Sequence, residues 1–149
     1  MPDPPGEGGR FAADLYELYE VARNDLRPLA EQYSGYSAEV DRTTAFDLDP
    51  TAVAGTMSKN NGIFRSGSAL CTLRDELQYA FAKSSENIEA AAVALIDVAE
   101  DYAAADEETQ SDFDAFMAEG FPDRETPEPP SSPVYPDEDR YRDGPAPKD

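Results

Sequence analysis

Histidine and tryptophan are absent from the 149 residues of this sequence, and cysteine occurs once, as Cys71. Without histidine, the chain lacks the commonest general base and the commonest zinc ligand, and one thiol cannot form a thiolate cluster or an internal disulfide. No glycine-rich phosphate loop is present, and Cys71, which follows Leu70 on an apolar helix face, is expected to be a small buried residue. We therefore expect a non-enzymatic protein with no catalytic residue, no metal site, no cofactor and no small-molecule substrate.

Basic residues are scarce, since the chain has 12 lysines and arginines against 32 aspartates and glutamates, a formal charge of −20. Nucleic acids and anionic membranes attract clustered lysine and arginine, and the basic residues here form no run, so no nucleic-acid partner is expected. No apolar stretch approaches the roughly 20 residues needed to span a bilayer, which argues against membrane insertion. The amino-terminal MPDPPGEGGR also lacks the basic flank and apolar core of a cleavable secretory signal.

Proline is concentrated toward the carboxyl end, with 8 of the 13 prolines in residues 119–149. This acidic, proline-rich segment has few apolar residues to offset the cost of ordering, so we predict a disordered tail. Residues 1–9, with three prolines and three glycines, are predicted to be a disordered leader. Residues 10–118 between them are predicted to form one helical domain.

The first helical segment is marked by apolar residues at steps of three and four: Phe11, Leu15, Leu18, Ala22, Leu26, Leu29 and Tyr33. Pro28 removes one backbone donor and is expected to disturb the helix near Asn24, which leaves either one kinked helix or two pieces. In the FDLDPTAV stretch that follows, Asp49 as N-cap and Pro50 at the first helical position predict a short extra helix toward Met57.

A longer helix is predicted after the SKNNGIF stretch, where Asn61, Gly62 and Phe64 are expected to form a turn that reverses the chain. From Ser68 to about Ala118 there is neither proline nor glycine, so this helix is predicted to be continuous. Its apolar stripe consists of Leu70, Leu73, Leu77, Phe81, Ile88, Leu95, Val98, Tyr102 and Ala105. Alanine favours helix and permits close approach by another helix, and it occupies positions 90, 91, 92, 94, 99, 103, 104 and 105.

Together these segments predict an all-α fold, an elongated helical hairpin of the helix-turn-helix type with a coiled-coil-like stripe. A helix of about 50 residues is roughly 75 Å long, too long for a compact domain of this size to bury. Two helices also leave part of each apolar face exposed to water. We therefore expect another helical hairpin protein, an identical or a different one, as a partner.

Negative charge is strongest in residues 84–123, which contain 12 acids and no lysine or arginine. The acidic stretch 106–116 lacks the glycine and glutamate that a calcium-binding loop places at its sixth and twelfth positions, so no dedicated calcium site is expected. The ordinary interpretation of this strip is a solvated helix face. The alternative is a surface that steers a basic partner, which would make the protein a cytoplasmic acidic adaptor or chaperone.

Within this strip, Tyr102 and Asp106 stand in the sequence AEDYAAADEE, about 40 residues after the NGIF turn. This arrangement resembles the small helical substrates of type VII (ESX) secretion, the WXG-like and secretion-associated groups. Members of those groups are helix-turn-helix hairpins, often paired as dimers, with Tyr-x-x-x-Asp/Glu late in the second helix. The resemblance implies a substrate or accessory factor that is secreted without a cleavable signal peptide and recognised by the secretion machinery through Tyr102 and Asp106.

The chain departs from the tryptophan-bearing members of those groups, because no Trp-x-Gly stands at the turn. Phe64 and Gly67 are found there, as in the secretion-associated group. The Tyr-x-x-x-Asp/Glu spacing itself occurs three times, beginning at Tyr16, Tyr102 and Tyr135, and only position late in the second helix selects the middle one. On a helix, Tyr102 and Asp106 would share one face. Tyr102 also continues the apolar stripe, so a role at the edge of the core is the alternative.

Overall fold

Helices make up most of the chain in the computed structural model, which describes residues 7–46, 61–123 and 128–137. The α-helices are α1, Glu7–Val21, α2, Arg27–Arg42, α3, Asn61–Ala103, and α4, Glu107–Gly120. A π-helical stretch, Ala22–Leu26, joins α1 to α2, and a 3-10 turn, Thr43–Phe46, follows α2. No β-strand occurs in the described ranges. The predicted all-α class is confirmed.

Pro28 explains the π-helical stretch between α1 and α2. Proline has no N–H to donate, and its ring displaces the carbonyl four residues earlier, which here belongs to Asn24. The backbone widens at this point, so that the N–H of Arg27 bonds to the carbonyl of Ala22, five residues back. Val21 and Arg27 both keep right-handed helical backbone angles. The predicted disturbance near Asn24 is therefore confirmed, and the segment is one continuous helical path.

The prediction of one continuous helix from Ser68 to about Ala118 is wrong. The backbone leaves the helical conformation after Ala103. Asp106 has extended angles, φ −140° and ψ 129°, and α4 starts at the next residue. In an unbroken helix the acids at 106–108 would approach the negative end of its dipole. The break places them instead at the positive amino end of a new helix.

The break also lets α4 fold back onto α1 in the first of two units into which the chain divides, residues 1–32 with 85–131. Edge-to-face ring contacts join the two helices: the Tyr19 ring lies 6.4 Å from that of Phe113 and 5.3 Å from that of Phe121. The Arg23 guanidinium lies 4.5 Å from the centroid of the Phe121 ring. The buried core of this unit consists of Ala12, Leu15, Tyr19, Ala99, Ala103, Phe113 and Met117.

The end of α4 approaches α1 closely at Gly120. A methyl group built on Gly120 would overlap the hydroxyl of Tyr16. The Tyr16 ring packs at this point between Phe116 and Phe121, at centroid distances of 5.8 and 6.0 Å. Glycine therefore supplies the space that the Tyr16 side chain occupies.

Small and polar side chains, rather than leucines, form the packing face of α3. Its buried residues recur at spacings of three, four and seven: Gln78, Ala82, Ser85, Ala92, Ala99 and Ala103. In the first unit, the Ser85 hydroxyl donates to the Ala30 carbonyl at 2.8 Å, and Arg27 pairs with Glu89 at 3.3 Å. The expected close approach of a second helix over alanines is confirmed at Ala92, Ala99 and Ala103.

The apolar stripe predicted for α3 lies beside the buried face of the helix rather than on it, and Phe81, Ile88 and Leu95 are only partly buried. Leu70 and Leu73 are 66% and 60% exposed, and Leu77 and Val98 are also exposed. On α1, Leu15 and Ala22 are buried as predicted, whereas Phe11 and Leu18 are exposed. The predicted helical periodicity is correct, but the predicted packing face of α3 is not. The leucine stripe and the buried small residues both recur at helical spacing, so spacing alone does not identify the face that packs.

Aromatic rings and buried polar groups characterise the second unit, residues 33–84 with 132–149. The rings of Tyr33 and Tyr36 lie 5.9 and 5.5 Å from that of Phe81. Ser34, Ser37 and Gln78 are buried. Cys71, expected to be buried, is only partly so.

Residues 128–137 follow no regular secondary structure, yet they contact the helices. In the first unit, the backbone N–H and the hydroxyl of Ser131 each donate to the Glu31 carboxylate at 2.6 Å. In the second unit, the backbone of Val134 bonds to Ser37 and Gln78. The predicted disorder of residues 119–149 stays a prediction.

Several boundaries differ from those predicted or lie outside the described residues. Asn61, Gly62 and Phe64, predicted to form the turn, lie in the first two turns of α3. The leader was predicted to extend to residue 9, and α1 begins at Glu7. The predicted short helix from Pro50 to Met57, the connection around it, and residues 138–149 lie outside the described residues.

Enlarging Ala99 tests the small-residue packing face. Ala99 is fully buried, so Ala99→Leu forces extra methylene groups into a closed contact and should lower the free energy of unfolding by about 1–3 kcal/mol. Ala94→Leu, on the exposed side of the same helix, should change it little. Urea unfolding followed by circular dichroism at 222 nm measures both. Equal effects of the two variants would contradict this packing.

Acid should release Ser131 from Glu31. The two hydrogen bonds from Ser131 hold the pKa of Glu31 below the ordinary glutamate value of 4.5. Because the pKa is lowered, the contact is stable above that value and is lost as the pH falls through the lower folded-state pKa. The NMR signal of the Ser131 amide should shift over that range in the wild type and already be shifted at pH 7 in Glu31→Gln. Glu39→Gln, which removes another carboxylate from α2, should leave the signal unchanged.

Candidate functional site

Tyr102 and Asp106, the predicted recognition residues, lie on either side of the corner between α3 and α4. Tyr102 is the penultimate residue of α3, and Asp106 precedes α4. The N–H of Ala104 still bonds to the carbonyl of Glu100 at 3.0 Å, and that of Ala105 reaches Tyr102 at 3.3 Å. The two residues therefore do not share one helix face, and that part of the prediction is wrong.

The Tyr102 side chain is 58% exposed. Its ring meets that of Phe11 in α1 edge to face, with centroids 6.4 Å apart. Ala103, the next residue, is buried in the core. Tyr102 is consequently anchored on one side and presents much of its ring to solvent, as a contact residue for another protein would.

Asp106 is held as the N-cap of α4. Its Oδ2 accepts hydrogen bonds from the backbone N–H and the hydroxyl of Thr109, both at 3.0 Å. These two bonds, the backbone one first, favour the ionised form and lower the pKa of Asp106. The carboxylate therefore remains charged and fixed in position near neutral pH.

Acidic side chains surround this corner. Glu100 and Asp101 on α3 and Glu107 and Glu108 on α4 are all exposed, as is Asp106. The nearest basic residues along the sequence are Lys83 and Arg124. An exposed aromatic ring thus stands beside several exposed carboxylates, which favours contact with a basic or neutral partner surface.

A cavity of about 350 Å³ opens beside the corner, within the first unit. Its lining combines the apolar side chains of Tyr19, Ala103 and Phe113 with the carboxylates of Glu100 and Asp114. Such a lining suits an apolar or basic side chain. Within the described ranges, no group of three or more potential metal-ligating side chains is found.

Sequence reasoning located Tyr102 and Asp106 but missed the cap and its partner. The signal was Asp106-Glu107-Glu108-Thr109, an N-cap residue followed by two acids in the first helical turn. The predicted turn residues Asn61, Gly62 and Phe64 belong to the second unit and are not part of this corner. A second set of contacts, from Ser37 and Gln78 to the tail, had no motif to mark it.

Comparison of the chain with protein-family models, with curated proteins and with solved structures finds no match. Among the described helices, none is long and apolar enough to cross a membrane.

Removing the cap should weaken α4. Asp106→Ala leaves the Thr109 N–H without its acceptor and should lower the melting temperature and the helical signal, whereas Asp106→Asn keeps an acceptor and should stay close to the wild type. Because the pKa of Asp106 is lowered, its contribution to stability is complete above the ordinary aspartate value of 3.8 and is lost as the pH falls through the lower folded-state pKa. Thermal unfolding by circular dichroism between pH 2 and 7 measures this. Identical melting of the two variants at pH 7 would contradict the cap.

Proposed function

We propose that the protein is a non-enzymatic substrate or accessory factor of a type VII (ESX) secretion system, secreted without a cleavable signal peptide. The observation that supports this best is the 58% exposure of Tyr102 immediately before the corner at Asp106. An export signal must be readable on the folded chain, and an exposed ring beside a fixed carboxylate meets that requirement.

In this proposal, the secretion machinery recognises residues on both sides of the corner between α3 and α4, rather than residues on one face of a helix. The Tyr-x-x-x-Asp spacing sets Tyr102 at the end of α3 and Asp106 at the start of α4. The Phe11 contact holds the ring, and Thr109 holds the carboxylate. A partner surface with an apolar pocket and a basic residue would complement both groups.

The fold proposed to carry this signal is an elongated helical hairpin. In this proposal, one arm consists of α1 and α2 and the other of α3. Helix contacts in each unit support it: Ser85 with Ala30 in the first, and Phe81 with Tyr33 in the second. The proposed partner is another helical hairpin protein, identical or different, because Leu70 and Leu73 on α3 are exposed.

The alternative proposal is a cytoplasmic acidic adaptor or chaperone for a basic protein. It is favoured by one observation, the exposure of Glu100, Asp101, Glu107 and Glu108 around the cavity. Binding of this kind weakens as salt screens the charges. The two proposals differ in where the protein accumulates, since an adaptor remains inside the cell and a substrate reaches the culture supernatant.

Export of single variants tests the secretion proposal. Tyr102→Ala should lower the secreted fraction at least tenfold without changing helicity, because the exposed ring is lost and the core is intact. Val93→Ala is the control, since Val93 is 40% exposed on the same helix and has no part in the proposed signal. Immunoblots of cell and supernatant fractions give the ratio. Equal export of these two variants, or retention of the wild type in the cells, would refute the proposal.

Variants of Asp106 distinguish the role of its negative charge in export from its role as the N-cap of α4. Asp106→Asn keeps a capping acceptor and removes the negative charge. A loss of export at an unchanged melting temperature would show that the secretion machinery recognises the charge. Asp106→Ala should be exported no better than Asp106→Asn. Normal export of both variants would remove Asp106 from the proposed signal.

A further inference from the structure

Both backbone polar groups of Val134, in the proline-rich segment, are bound by side chains of the second unit. The Val134 N–H donates to the Ser37 hydroxyl at 3.0 Å, and the Gln78 amide nitrogen donates to the Val134 carbonyl at 3.1 Å. Ser37 and Gln78 are both fully buried. Recognition of one residue through its N–H and C=O is how extended peptides are held without reading that residue's side chain.

The helices orient these two side chains by contacts of their own. The Ser37 hydroxyl donates to the Ser34 carbonyl at 2.7 Å, which leaves its oxygen to accept from Val134. The Gln78 amide nitrogen also donates to a carboxylate oxygen of Asp41 at 3.2 Å. Two acceptors, one on Asp41 and one on Val134, therefore fix which end of the Gln78 amide is the NH₂ group. Side chains of α2 and α3 thus form a groove oriented for a peptide backbone.

The residues next to Val134 also contribute to how this segment is bound. The Tyr135 ring packs on the Tyr79 ring with centroids 5.7 Å apart and an interplanar angle of 62°. Pro133 and Pro136 flank the pair, and their fixed φ angles favour an extended chain. The bound segment is therefore a proline-flanked Val-Tyr pair in extended conformation.

One acceptor in the groove is not used by this segment. Within the described residues, the carbonyl oxygen Oε1 of Gln78 is buried and has no hydrogen-bond donor. A buried acceptor left without a partner is unfavourable, so a ligand that supplies an N–H or O–H group there would bind more tightly than the tail. The chain's own segment is consequently a replaceable occupant.

We propose that Ser37, Asp41, Gln78 and Tyr79 form a binding groove for an extended, proline-flanked peptide. Residues 133–136 occupy it in cis, and a partner protein that carries a similar segment with an additional donor for Gln78 displaces them. The tail then acts as an internal competitor that limits binding to partners of this chemistry. This inference goes beyond secretion, since it involves neither Tyr102 nor Asp106.

A labelled peptide measures access to the groove in the full-length chain. The probe is fluorescein-labelled PPSSPVYPD, residues 129–137, and binding is followed by fluorescence anisotropy. Val134→Pro removes the N–H that binds Ser37, so the cis segment should detach and the peptide should bind at least tenfold more tightly than to the wild type. Val134→Ala keeps the N–H and should behave as the wild type does.

Changes to the groove and to the peptide complete the test. In the Val134→Pro chain, Gln78→Ala should weaken peptide binding at least tenfold. A peptide with N-methylvaline at the central position should also fail to bind the Val134→Pro chain, and this result does not depend on how a protein variant folds. The proposal is overturned if Val134→Pro binds no better than the wild type, or if N-methylation has no effect. Dimerisation of the wild type that Val134→Pro abolishes would assign the segment to a second copy and also overturn it.

Discussion

The hydrogen bonds between Asp106 and Thr109 determine how the first unit is built. Alanine and the absence of proline and glycine favour helix across residues 104–106, and a continuous helix would carry Phe113 and Met117 away from α1. Capping by Asp106 stops that helix and starts α4, whose apolar side then packs on Leu15 and Tyr19. The exposed position of Tyr102 and the adjacent cavity both follow from this reversal.

Close helix packing explains why the larger apolar residues remain exposed. Ala92, Ala99 and Ala103 let another helical segment approach the α3 backbone, and a leucine there would hold the two apart. The leucines at 70 and 73 lie on a different side and keep their exposure. One side of α3 therefore carries small residues that pack, and another carries leucines that stay exposed.

Local chemistry made part of this structure predictable. The all-α class and the disturbance by Pro28 follow from periodicity and from a missing N–H, and both were correct. The packing face of α3 was not predictable from period alone, because the positions of Leu70 and Gln78 both recur at helical spacing. Tyr102 and Asp106 were found from their context, and the capping residues Asp106 to Thr109 mark where α4 begins. The packing of α4 on α1 through Phe113 is a tertiary contact that no local pattern contains.

Charge explains which part of the tail contacts the helices. The chain carries a formal charge of −20, so an acidic segment lying along α2 and α3 would meet net repulsion. Residues 129–136 are the longest stretch of the tail without a charged side chain, between Glu128 and Asp137. Neutral, proline-flanked residues can approach Ser37 and Gln78 at little electrostatic cost, and their backbone supplies the hydrogen bonds that buried polar groups require.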